Sequence, residues 1–246
     1  MESPEDAEDY NEDVRHTLNR VKSPEYRNPW ENHLELMKLP IPSIEQFIHN
    51  VSTIKYLRIA ALAAVLYLTG SRISEIIPFK DINTKQRITA GLQRKHIYGE
   101  GKIIRGDIVM PQWIVFVTRV LKIPSTRVKQ NPMIAWKKSF TDSTDERYSP
   151  LIRVVDKYLD LMKNKSPEAT LFPFSVQYAD RMMNKLLKMN CHFIRHIRAS
   201  HLCRYHNFLD VDLRKFFGWI SAEMPSRYTS GSEEQLKSKL KNKLDY

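Results

Sequence analysis

The stretch from Ser52 to Leu68 constrains the fold more than any other part of the chain. It is rich in Ala, Leu and Ile, and as a helix it is apolar nearly all round. A helix with no polar face must be enclosed by other protein, so the sequence predicts a domain built around this one segment. Its longest uninterrupted apolar run, Ile59 to Leu68, is far short of the roughly 20 residues a membrane-crossing helix needs. Thr69-Gly70 ends the segment with a residue suited to a left-handed C-cap.

Around that helix the elements alternate in character. Ser43 and Gln46 have capping-box spacing and open a helix through His49. Ser71 is placed to cap a short helix with Arg72 in its first turn. From Asp81 to Ile114 the pattern is least regular. Strand character is clearest in Trp113–Val120 and again in Pro132–Trp136, with the turn-forming Pro124-Ser125-Thr126 between them. Ser149-Pro150 starts a helix to about Asn164, with Ile152, Val155, Leu159 and Met162 on one side. Further helices fit Ser175–Met189, His192–His206, Asp210–Phe217 and Ala222–Tyr228. No internal repeat is visible. The reading is a mixed α/β chain, predominantly helical, with one small antiparallel sheet.

The 246 residues are 42% hydrophobic and 27% charged, as in a folded protein with a sizeable core. Two cysteines, Cys191 and Cys203, cannot form a disulfide framework. If they share a helix they stand about 18 Å apart, too far to bridge. The acidic N-terminus is unlike a secretory signal. Residues 1–13 hold seven Asp and Glu and no Lys or Arg. The other 233 residues therefore set 39 basic side chains against 21 acidic ones, a formal charge of +18. A body that basic attracts polyanions, nucleic acid foremost, although a solvated basic surface would look the same. Residues 1–42, with Pro24, Pro29, Pro40 and Pro42, read as an acidic, proline-containing extension. Residues 43–246 read as the functional domain, closed by a basic tail helix carrying Lys237, Lys239, Lys241 and Lys243.

Four local features carry chemistry. Thr69-Gly70-Ser71-Arg72-Ile73-Ser74-Glu75-Ile76 delivers an arginine through a tight turn to a helix start, where backbone amides also favour an anion. His192-Phe193-Ile194-Arg195 puts a histidine and an arginine three apart, on one helix face. Gly218-Trp219 offers an indole N–H after a glycine, and Tyr228 supplies a phenol. Each alone is ordinary: a surface cap, an incidental pair, a core tryptophan, a packed tyrosine.

In this order and spacing, with Trp219 24 residues after Arg195 and Tyr228 nine further on, they resemble the catalytic domain of the tyrosine recombinases, the phage-type integrases. The likeness runs from about Pro42 to Ser232. It includes Thr-Gly-x-Arg-x-Ser-Glu-Ile at 69–76, His192-x-x-Arg195-His196 leading into Ala199-Ser200-His201-Leu202, and Leu171-Phe172-Pro173 one helix earlier.

The resemblance implies a site-specific recombinase that cuts and rejoins double-stranded DNA through a 3′-phosphotyrosyl intermediate. It implies Tyr228 as nucleophile, Arg72 and Arg195 as a phosphate clamp, and His192 bonding the phosphate or assisting proton transfer from the phenol. Trp219 would donate to the phosphate. A lysine in a β-turn would protonate the leaving 5′-oxygen, with Lys122 the best fit, Lys129 second and Lys102 third. Bond energy kept in the covalent intermediate removes the need for a metal or any other cofactor. Two to four protomers would assemble on DNA, with no membrane attachment and a cytoplasmic, DNA-associated location. Integration of a viral genome or mobile element is the leading setting. The extension is too short for the helical domain that precedes the catalytic domain in that family, and segment 84–112 is longer than usual. A type IB topoisomerase-like DNA-relaxing enzyme and a non-catalytic DNA-binding relative are the alternatives. The former usually has Lys where His192 stands. A zinc-type reading of His192 and His196 lacks the glutamate after the first histidine and a convincing third ligand.

Overall fold

The computed structural model describes residues 40–80, 87–105, 108–119, 136–142, 146–219 and 223–229. The expected acidic extension, apart from its last residues, the Pro124 turn and the basic tail helix lie outside the described residues.

The apolar segment is the hub. Helix α1 (Ile44–Ser52) opens with the expected capping box, the Gln46 amide donating to Ser43 Oγ at 3.1 Å and the Ser43 amide to Gln46 Oε1 at 3.0 Å. Helix α2 (Leu57–Thr69) follows, and every residue from Ile59 to Thr69 is buried. It begins five residues later than its composition suggested, because α1 runs on to Ser52 and Thr53 caps that helix first. Its alanines let neighbours approach closely. Helices α4 (Ser149–Met162), α5 (Val176–Leu187) and α6 (Cys191–His206) pack around it together with α1. Ile152 and Val155 of α4 are fully buried, while Leu159 and Met162 border the core.

Gly70 ends α2 with φ +57, as the Thr-Gly pair predicts. The space beside it is closed as well. A Cβ there would lie 2.4 Å from Phe217 Cε1 and 3.1 Å from Phe216 Cε1. Gly70→Ala should therefore combine left-handed backbone strain with overpacking, a loss of about 2–4 kcal/mol in urea unfolding. A loss below about 1 kcal/mol would mean that the Phe216-Phe217 segment moves aside freely.

The sheet region is more extensive than the sequence reading. A two-stranded antiparallel pair joins β1 (Phe79–Lys80) to β2 (Arg87–Thr89). A three-stranded antiparallel sheet has the order β3 (Ile97–Arg105), β4 (Ile108–Arg119), β5 (Trp136–Asp142). Thus the described residues form two sheets where one was expected, and the irregular segment supplies β2, β3 and the start of β4. Gly99 and Gly101 interrupt the alternation that would have marked β3. The second strand begins at Trp136, where the expectation ended. Residues 132–135 are outside the described residues. The polar sequence of β5 has weak strand propensity, and pairing with β4, from Trp113↔Asp142 to Arg119↔Trp136, selects it. Pro111 is tolerated because, among the described residues, β4 at that level pairs only with β3, opposite Lys102.

Helix α6 is buried on nearly every side because two apolar clusters flank it. Phe193, Ile194 and Ile197 join the main core. Ala199 and Leu202 join a smaller cluster with Leu213, Phe217 and Trp219 from helix α7 (Asp210–Phe217) and the turn after it. Met224 and Tyr228 of helix α8 (Glu223–Thr229) pack on that cluster. Gly218, with φ +66, caps α7 and turns the chain so that Trp219 folds back beneath Phe217.

His201 ties α6 to the start of the described chain. A carbonyl can only accept, so Nε2–H donates to Pro42 O at 2.8 Å, and Nδ1 accepts from the Tyr67 hydroxyl at 2.8 Å. The bond that Nδ1 accepts needs the neutral ring, while the one to Pro42 O survives protonation. Burial, seconded by the Arg198 charge, lowers its pKa to about 4, against the helping pull of the Pro42 carbonyl. An unfolded chain would protonate this ring near pH 6.5 and the folded one only near 4, so its stabilising contribution is present above 6.5 and lost on acidification through that window. The loss should amount to about 3 kcal/mol. His201→Gln should be less stable at neutral pH yet flatten this part of the stability–pH curve; an unchanged acid slope would assign the loss to other groups.

Candidate active site

Arg72 is the N-cap of the four-residue helix α3 (Ile73–Ile76), a position the sequence reading gave to Ser71. Thr69 Oγ1 takes the Ser71 amide at 3.1 Å, and Ser71 Oγ lies 3.3 Å from Thr118 Oγ1 of β4, so Ser71 is sunk into the core. Glu75, only 2% exposed, accepts from the Arg72 amide at 2.9 Å and from Arg72 Nη1 at 3.0 Å. The carboxylate thereby fixes the guanidinium of an arginine whose side chain is 22% exposed. Glu75 thus both caps the helix start and holds the Arg72 side chain. The amide of this helix start is occupied by that carboxylate.

Arg195 sits on the second turn of α6 and is 4% exposed. Nη1 donates to Gly70 O, two residues before Arg72, and Nη2 to Phe217 O at 3.3 Å. Its guanidinium lies over the rings of Phe217 at 4.7 Å and Trp219 at 5.4 Å. Burial pulls its pKa down to about 9, and the nearby Arg72 charge adds to this, while Glu75 and Tyr228 act in the opposite sense. It is a cation at neutral pH. Those electrostatic partners place Arg72, Glu75, Arg195 and Tyr228 in one neighbourhood, although residues 72 and 228 are far apart in the chain.

Tyr228, half-buried on α8, stacks on Trp219 with ring centroids 5.6 Å apart and planes 11° apart. Trp219 stacks in turn on Phe217 at 4.5 Å and 17°. A continuous pile thus runs from the Arg195 guanidinium through Phe217 and Trp219 to the phenol. The phenol hydroxyl is 3.1 Å from His196 Nδ1, with ring centroids 5.2 Å apart. Tyr228 therefore reaches the cluster of its own chain.

The structure thus brings Arg195, Trp219 and Tyr228 into direct contact and sets Arg72 beside them. His192 is exposed at the start of α6, one turn before His196 on the same face. Lys122 and Lys129 lie outside the described residues, and Lys102 lies in β3 opposite Pro111. Among the described residues no three His, Cys, Asp or Glu side chains gather as a metal site. Cys191 and Cys203 are free thiols on α6.

Two residues here had no functional place in the sequence reading. His196 entered it inside the His192-x-x-Arg195-His196 string and in the zinc-type pairing with His192, with no role toward Tyr228, and its spacing of four from His192 was the one available signal. Arg198, 8% exposed, points among Tyr67, Tyr148 and Phe216 at 4.9, 5.0 and 5.6 Å from their ring centres. Its Nε and Nη1 have no hydrogen-bond partner among the described residues. Nothing in the local sequence separates this arginine from a surface one. Through Phe216 it braces the end of α7, one turn along α6 from where Arg195 holds Phe217.

No protein-family model matches the sequence, and neither does any curated protein. Solved structures do. The chain is similar to the XerH site-specific recombinase bound to its difH substrate in a pre-cleavage complex, with a TM-score of 0.54 and 12% identity over 82% of this chain and 53% of that one. The post-cleavage complex of XerH with palindromic difH gives 0.52 and 14%, over 80% of this chain and 50% of that one. The XerA recombinase gives 0.52 and 16%, over 89% and 66%. The chain spans about half the length of the XerH chains it matches. Likeness at such identity is likeness of fold, and the fold of this chain is that of the tyrosine recombinase catalytic domain.

Proposed function

We propose that this chain is a DNA strand-exchange enzyme, a site-specific recombinase or integrase that works through a 3′-phosphotyrosyl intermediate. The observation that carries this reading is the seating of the Tyr228 phenol 3.1 Å from His196 and stacked on Trp219, beside the buried Arg195 cation and the Glu75-anchored Arg72. Supporting it, the fold is shared with the XerH site-specific recombinase, whose structures hold its difH substrate in pre-cleavage and post-cleavage complexes.

In this mechanism a scissile phosphate docks against Arg72 and Arg195. Their charge-assisted N–H donors meet the negative charge that builds on the non-bridging oxygens in the transition state. Two of the Arg195 donors are already committed to Gly70 O and Phe217 O, which holds the guanidinium still before substrate arrives. Preorganisation of that kind lowers the barrier without reorganisation cost at the moment of reaction. His192, exposed at the helix start, is placed to meet the phosphate from the solvent side. Trp219 aligns the phenol and offers its N–H. Tyr228 Oη bonds to phosphorus as the 5′-oxygen departs, protonated by a lysine, for which Lys122 is the first choice and Lys129 and Lys102 follow. Attack comes from the same chain, as the seating of Tyr228 supports. Reversal by another strand's 5′-hydroxyl completes exchange, and exchange between two sites requires two to four protomers on DNA.

A nicked suicide DNA substrate, which loses its 5′-hydroxyl fragment after cleavage, should trap a protein–DNA adduct that survives denaturant and chelator alike. Peptide mapping should place the adduct on Tyr228. An adduct on any other residue, or none at all, would overturn this reading.

A further inference from the structure

We infer that His196 is the general base that takes the proton of the Tyr228 phenol, an assignment that rests on the strand-transfer reading above. A phenol ordinarily ionises near pH 10, so at neutral pH it must shed a proton as it attacks. His196 is in hydrogen-bond reach of that proton, its Nδ1 3.1 Å from Tyr228 Oη. The imidazole is 9% exposed and braced by the Phe193 ring at 5.4 Å on its own helix. The phenol is held from its other side by Trp219. Both partners of the proton transfer therefore meet in a fixed, largely dry geometry, in which a positioned base is most effective.

The step balances as follows. Neutral His196, its proton on Nε2, accepts the phenolic proton at Nδ1. Tyr228 Oη forms its bond to phosphorus, and the P–O5′ bond breaks. The 5′-oxygen takes a proton from the separate general acid, so one proton enters the imidazole and one leaves the acid. Imidazolium forming here lies among charges on two elements: Arg195 and His192 on α6, and Arg72 and Glu75 at α3, which act on Arg195 together with Tyr228. The arginines oppose it, and Glu75 together with the negative phosphoryl group favours it. The proton is thus held loosely and is available for return when the next strand attacks and the phenol leaves.

The test is single-turnover cleavage of the nicked DNA substrate across pH. His196→Ala should bind DNA within about 3-fold of the parent and cleave it about 100-fold more slowly near neutral pH. Free imidazole should restore about 10-fold of that rate. The acid limb of the parent's rate profile should vanish in the variant. A second measurement keeps His196 in place: difluorotyrosine at position 228, which ionises more readily, should weaken the acid limb in the otherwise native protein. Three results would overturn the assignment: an undiminished rate in His196→Ala, no imidazole rescue, or a variant faster than the parent, which would make the His196–Tyr228 bond a restraint. A folded parent that forms no adduct at any pH would instead defeat the strand-transfer reading itself.

Discussion

A Tyr228→Phe protein should bind duplex DNA as tightly as the parent and form no covalent adduct with it. The substitution removes one oxygen and leaves the ring, so the stack from Arg195 through Phe217 and Trp219 to position 228 keeps its area. What it loses is the proposed nucleophile and the hydrogen bond to His196. The bond is worth about 1 kcal/mol to stability, while the loss in strand cleavage should be complete. In the proposed function DNA binding falls to the basic surface and not to the phenol, so affinity and its salt dependence should be unchanged. A persisting adduct would require a different nucleophile.

Arg195→Ala should slow cleavage by about 10³-fold or more, the magnitude seen when a preorganised transition-state donor is deleted. The effect has two sources. One is the lost charge on the phosphoryl group. The other is structural: Gly70 O and Phe217 O lose their donor, and Phe217 and Trp219 lose the cation that presses on their rings. Stability should fall by about 2–3 kcal/mol from the buried carbonyls left unsatisfied. Arg195→Lys separates the two sources. An ammonium restores charge but cannot span both carbonyls and the substrate with a planar fork, so most of the catalytic loss should remain. Full activity in the lysine variant would show that charge alone matters at this position.

Much of this arrangement was legible in the chain. The capping box at Ser43 and Gln46, the Thr69-Gly70 helix end and the α4–α7 helices all follow from side-chain periodicity and backbone preferences acting over a few residues. Those forces leave local marks. Arg72 at the N-cap shows where such marks mislead: Ser71 is the better capping residue by type, but Thr69 and Thr118 engage it, and Glu75 rewards Arg72. Strand β5 shows another limit, since its pairing partner on β4 lies some twenty residues away and its own sequence is polar.

The sequence by itself determined the helical frame, the basic charge and the set of reactive side chains, because each follows from residue type and spacing along one segment. Only the tertiary structure decided which of them meet. The His196–Tyr228 contact, the Arg195 anchors on Gly70 and Phe217, and the Arg198 cation among three rings join residues separated by between 18 and 131 positions in the chain. Such meetings arise from how α6 is packed between two apolar clusters and how Gly218 turns the chain, and no short stretch of sequence encodes either one.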